Sequence, residues 1–214
     1  MRILQFVARG NSAALLLILV LAAVPSLGCG ASSKDSEREV LPDSSRRISL
    51  GLVSVVPPKE AGWSVKQAST RITLGKFGVV PGHSFAGLVV LTQLPVLNSK
   101  EEFFDWNVQQ RARDAGDPRY RDLVKDETVT IENGVWVFRF HAKYEDSGAH
   151  NLPAGTPYLV IEDIGTVFRH PFESGVAVYV AISQRSTPQD VDGAFESVAK
   201  DFLGSVEFHS NPSK

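Results

Sequence analysis

Within its 214 residues the chain has one cysteine, one methionine and no marked excess of either charge. A single cysteine excludes a disulfide within the chain and any zinc site built on several thiolates, so a folded domain here must rest on its apolar core. There is no Gly-rich phosphate loop, no Gly-x-Ser-x-Gly elbow and no His-Glu-x-x-His. The five histidines, His83, His141, His150, His170 and His209, are not paired at ligand spacing. No catalytic residue, no metal and no cofactor is therefore expected. The 22 basic and 24 acidic residues give a net charge of −2, without the basic excess of a nucleic-acid surface. The longest apolar run, Ala13 to Val24, is short of the roughly 20 residues a spanning helix needs.

That run has a setting, however. Arg2 and Arg9 precede it, and no charge occurs from Gly10 to Gly28. Pro25 ends it, and Ser26-Leu27-Gly28-Cys29 follows. A positive start, a short apolar stretch and small residues at its end are the parts of a secretory signal. The last four residues resemble the bacterial lipobox, in which a small residue precedes the cysteine. Ser26 stands where leucine is commonest in that pattern. The resemblance implies that Cys29 carries a diacylglyceryl group and that the signal is removed before it. Gly30, in place of an aspartate, resembles the pattern of outer-membrane destination in Gram-negative envelopes. The expected partners are the membrane, through the lipid anchor, and as a candidate an envelope protein; nucleic acid is not among them. Without Arg2 and Arg9 there remain 20 basic and 24 acidic residues, a net charge of −4, so there is no polybasic patch to hold the chain to anionic lipid.

Four segments follow from composition: a signal over 1–28, the lipidated cysteine and a polar tether over 29–47, one globular domain over 48–209, and a tail over 210–214. In the tether only Val40 and Leu41 can pack, too little to offset the entropy of ordering it.

Strands are predicted over Ile48–Val56, Trp63–Gln67, Arg71–Phe77, Phe85–Leu91, Tyr158–Phe168 with a bend at Gly165, and Val176–Ile182. Ser99-Lys100-Glu101-Glu102 is a capping box opening a helix that runs to about Ala115, with Phe104, Val108, Ala112 and Ala115 as its stripe, widened by Phe103 and Trp106. Asn133-Gly134 is the pair a type I′ turn prefers, and joins Thr128–Ile131 to a strictly alternating return strand. That strand sets Trp136, Phe138, Phe140, Ala142 and Tyr144 on one face, and Val137, Arg139, His141, Lys143 and Glu145 on the other. Thr187-Pro188-Gln189-Asp190 is predicted to open a second helix, followed at helical spacing by Val191, Ala194, Phe195, Val198, Ala199, Phe202 and Leu203. Hairpins interrupted by one helix and closed by another indicate an α+β fold with a mostly antiparallel sheet flanked by helices.

Several of these features resemble the PsbP/Mog-like α/β/α sandwich: the Pro57-Pro58…Gly62-Trp63 turn, Ile72 to Lys76, the mid-chain helix, and a last helix running into Phe202–Phe208. The resemblance implies an accessory or binding protein rather than an enzyme.

Candidate binding residues flank the two irregular regions: Tyr144, His150 and Tyr158 around the 145–157 loop, and Arg169 and His170 in a turn. Glu162-Asp163 must point to opposite faces of its strand. An edge position is the expectation that spares both, with Arg139 or Arg169 as partners if one is buried. The leading functional expectation is a membrane-anchored lipoprotein with a non-enzymatic accessory or binding domain. A small-ligand or lipid carrier, and a carboxylate hydrolase using Glu162 or Asp163 with His141, are the alternatives.

Overall fold

The computed structural model describes residues 39–41, 45–78, 82–112, 117–149 and 152–210. The signal, Cys29, His150 and most of the tether lie outside these residues. Among the described residues no helix is long and apolar enough to cross a membrane.

The fold is α+β. Two antiparallel meanders lie side by side in one eight-stranded sheet. The first comprises β4 (Ser64–Ala68), β5 (Arg71–Phe77) and β6 (Ser84–Gln93); the second comprises β7 (Tyr120–Glu132), β8 (Val135–Asp146), β9 (Leu159–Arg169) and β10 (Val176–Ser186). They join where β6 pairs with β10 from Ser84–Arg185 to Gln93–Val176. Because β6 and β7 lie far apart in the sheet, α1 (Lys100–Arg111) crosses over the strands between them. β10 is apolar from Val176 to Ile182 because both of its faces are covered there.

Alternation sorts the core into two layers. Val178, Val180 and Ile182 point to one face, where they meet Phe195, Ala199 and Phe202 of α2 (Phe195–Gly204). The same layer holds Leu50, Val53 and Val55 from a small sheet of β2 (Ile48–Leu50), β3 (Val53–Val55) and β11 (Glu207–Phe208). Ala177 and Ala181 point the other way, with Phe138, Phe140 and Val167, against Phe103 of α1.

Local chemistry explains several boundaries. Ser99 Oγ accepts from Glu102 N at 3.2 Å, closing the first turn of α1 as the capping box predicts, while Glu102 Oε2 accepts from Asn98 N at 2.8 Å. Asn133 (φ 50°) and Gly134 (φ 79°) adopt the two positive φ angles of a type I′ turn.

Other expectations are corrected. Ile48–Val56 is a hairpin, because Gly51 turns at φ 65° and folds β2 onto β3. The buried line of α1 is Phe103 and Asn107, with Phe104, Trp106 and Val108 at its flanks; α1 ends at Arg111, and Ala115 lies outside the described residues. Residues 187–194 form turns, and α2 opens at Phe195. The reason is tertiary: Gln184 accepts from Asp192 N at 3.0 Å and donates to Asp192 O at 3.3 Å, holding that backbone out of a helix. The register of β9 runs through Gly165 without a shift, and the glycine lets Phe140 and Ala181 approach closely. The domain also begins before residue 48. β1 (Glu39–Val40) pairs with β4, and Leu41 N donates to Trp63 O at 3.0 Å. The free backbone of an edge strand recruits the one apolar pair of the tether.

Candidate functional site

β9 runs the length of the sheet, so Tyr158 and Arg169 stand at its opposite ends, about 35 Å apart at strand rise. The candidate binding residues therefore do not form one site.

At the Tyr158 end, Asp146 is fully buried. Arg119 clasps it with both Nε and Nη2, Arg185 Nη2 donates to Oδ2 at 2.6 Å, and Gly148 N donates to Oδ1 at 3.1 Å. Burial pushes its carboxyl upward, but the two guanidiniums and the backbone N–H outweigh that and hold it below the ordinary range. These bonds fasten the start of β7 and the ends of β8 and β10. Nearby, Tyr144 donates to Asp163 Oδ2 at 3.0 Å and packs edge-on against Tyr120 at 5.3 Å. Burial raises the Asp163 carboxyl above its usual range and pushes the Tyr144 hydroxyl far up. The Tyr158 hydroxyl helps to hold the Glu145 carboxyl below its ordinary range, after the larger effect of the Arg121 guanidinium. Tyr144 thus carries a structural bond, and His150 lies outside the described residues.

Glu162 and Asp163 do point to opposite faces, but not from an edge. β9 lies between β8 and β10, so both carboxylates sit over covered strands. Neither expected arginine reaches them. Arg139 pairs with Glu132, and the Glu132 carboxyl is lowered to about 2 by that bond and one from Thr130. Glu162 instead meets His141 Nε2 at 2.8 Å, Gln184 Nε2 at 2.8 Å and Lys143 Nζ at 3.5 Å. His141 and Glu162 converge as a carboxylate mechanism would need, while Asp163 is on the far face. Glu196, in the first turn of α2, stands beside the pair, and its ligand atoms and theirs lie within 4.8 Å of one another. Sequence reading paired His141 with Glu162 as an alternative but missed Glu196, which comes from a helix brought to the two strands only by packing.

A serine–histidine pair also escaped the sequence. Ser54 Oγ lies 2.8 Å from His209 Nε2, and Arg47 Nη1 donates to the same oxygen at 3.2 Å. Ser54 is 1% exposed, so its hydroxyl is an internal tie between β3 and the end of the domain rather than a reachable nucleophile.

The other end of β9 holds a cleft of about 260 Å³, lined by the β7–β8 turn and the β9–β10 turn. His170 forms its floor and is committed to the fold. Its Nδ1 accepts from Phe172 N at 3.2 Å and Glu173 N at 3.1 Å, so Nε2 carries the proton and donates to Leu52 O at 3.0 Å. Arg169 is different. Its guanidinium lies 4.4 Å from the centroid of the Trp136 ring, and it forms no salt bridge to a described acid. Phe172, 59% exposed, completes the wall. A cation with a free edge, a π-face beneath it and an exposed ring beside it can hold a planar anion or an aromatic acid.

No protein-family model matches the chain, and no curated protein matches it in sequence. Among solved structures it is similar to a mutant of the protein Mog1, at 12% identity and a TM-score of 0.45, over 77% of this chain and 96% of that one. It is also similar to the cyanobacterial PsbP protein CyanoP from Synechocystis sp. PCC 6803, at 11% identity and a TM-score of 0.38, over 76% and 95% of the two chains. Likeness at this level concerns the path of the backbone, not a ligand or an activity.

Proposed function

We propose that the chain is an exported, lipid-anchored binding domain that takes an anionic, ring-bearing group in the Arg169 cleft. The observation that carries the binding reading is the Arg169 guanidinium, stacked on Trp136 with no acid partner among the described residues, in the wall of an open cleft. Anchoring rests on the signal-like first 28 residues and on Cys29 at their end. The cleft suits a ligand fragment or a side chain. At about 260 Å³ it falls below the roughly 300 Å³ at which drug-sized pockets begin, and a second cleft of about 280 Å³ beside Leu52 and Leu91 is no larger. Both are smaller than a lipid carrier requires. In the hydrolase alternative Glu162 would have to give up three bonds before it could act as a base.

Titration of the chain carrying Cys29→Ser with phenylacetate, followed by NMR at the Trp136 indole N–H, tests the cleft. Saturable shifts in the millimolar range are expected, typical of a fragment with one charge contact. Arg169→Ala should abolish them, and benzylamine should not produce them. Equal shifts in the variant, or with the cationic probe, would overturn the assignment.

A further inference from the structure

The cluster on the α2 side of the sheet has a charge problem that its own bonds do not fully solve. Glu162 is 5% exposed on β9, and Glu196 projects from the first turn of α2 toward it. Their carboxylate oxygens and a His141 ring nitrogen fall within 4.8 Å of one another. Lys143, 3.5 Å from Glu162, is the one cation paired with either carboxylate among the described residues, and Glu196 has no hydrogen bond or salt bridge there. Two carboxylates brought this close repel each other unless a cation or a proton lies between them.

We propose that His141, Glu162 and Glu196 form a binding site for one divalent transition ion of the zinc class. One imidazole and two carboxylates suit zinc, which takes nitrogen and oxygen ligands near 2.0–2.2 Å, and do not suit magnesium or calcium, which prefer oxygen alone. Ligand atoms on a tetrahedron of that size lie about 3.3 Å apart, within reach of the present spacing by side-chain rotation. Gln184, fully buried, holds Glu162 Oε2 from behind and leaves Oε1 directed at His141, the orienting role an outer partner plays around a metal ligand. The same amide fixes the backbone of Asp192, and with it the approach to α2. A bound ion would tie β8, β9 and the start of α2 at one point. Lys143 is the opposing element: its ammonium competes for Glu162 and weakens the site.

The experiment is zinc titration of the untagged full chain carrying Cys29→Ser, in mild detergent, against a chromophoric chelator. The serine removes the one thiol that could bind zinc elsewhere. One equivalent is expected to bind with a Kd of micromolar order. His141→Ala and Glu196→Gln should each weaken it by about tenfold or more, and Lys143→Gln should tighten it severalfold. Both weakening substitutions are at solvent-reached side chains, and matching circular dichroism and melting curves without zinc keep a folding defect apart from a lost ligand. Zinc should raise the melting temperature of the parent chain and of Lys143→Gln but much less that of His141→Ala or Glu196→Gln, and excess magnesium should not compete. No binding up to about 100 µM, or equal binding by parent and His141→Ala, would overturn the proposal.

Discussion

Gly165 is the residue whose replacement the fold would feel most directly. It faces Phe140 across β8 and β9, and the ring fills the space a side chain would occupy. A Cβ there would come within 2.6 Å of Phe140 Cε1 and 2.9 Å of Ala181 Cβ, both inside any real contact. The ring cannot retreat freely, because the Arg111 guanidinium lies 3.5 Å from its centroid on the α1 side and Tyr179 stacks at 5.7 Å. Gly165→Ala should therefore cost about 1–3 kcal/mol, the usual range for overpacking. Urea unfolding measures it, and Phe140→Leu in the same chain should recover part of the loss. An unchanged midpoint would mean that the layer under α1 is looser than described. The sequence marked this glycine but not the ring that fills its space, because a ring from the neighbouring strand has no local signature.

At the scale of elements, the Asp146 cluster is the clearest test. One buried carboxylate fastens Arg119, just ahead of β7, and Arg185 on β10 to the end of β8. Asp146→Asn would leave two guanidiniums facing a neutral amide and should cost about 3 kcal/mol, the lower end for a broken buried pair because Arg119 is partly in water. The sign of its pH dependence follows from the carboxyl being lowered in the folded state. The bonus it supplies is complete above the ordinary value of 3.8 and is lost as pH falls through the lower folded value. Urea midpoints of parent and Asp146→Asn should thus differ at pH 7 and draw together as pH falls below about 4. A gap that stays constant would show that the carboxylate's charge does not hold these strands.

How much of each element the sequence disclosed depended on where its cause lay. The Asn133-Gly134 turn, the Ser99 cap, the alternation of β8 and the continuous apolar run of β10 are caused by residues within or next to the element, and all were legible. The start of α2 is set by Gln184 in the sheet, which holds the backbone of Asp192 eight residues further on, and could not be read from propensity. The first half of β7, Tyr120 to Glu127, is charged and shows no period; it is a strand because β8 offers it a ladder. The candidate sites divide in the same way. Arg169 and His170 were visible as unusual turn residues, though His170 is committed to the fold and Arg169 stacks on Trp136 at the cleft with no acid partner among the described residues. His141 with Glu162 was among the alternatives the sequence offered, but the place of Glu196 beside them was not visible, because it depends on where α2 begins and how it packs.

At the scale of the molecule, two meanders share one sheet, one helix covers each face, and a short strand of the tether pairs with the first meander. Among the described residues the pairing nearest the N-terminus is at Glu39, ten residues after Cys29, so the proposed tether would be about half as long as composition implies. If lipid at Cys29 holds the domain to a membrane, the chain needs no apolar spanning element and its binding cleft would work close to the headgroups. Membrane fractionation of the parent chain and of Cys29→Ala, with mass measurement of the peptide beginning at residue 29, tests this most directly. A parent chain in the membrane fraction with a diacylglyceryl mass on Cys29 is expected, and a variant that is released or left with its signal uncleaved. Equal partitioning of the two chains, with an unmodified cysteine in the parent, would contradict it.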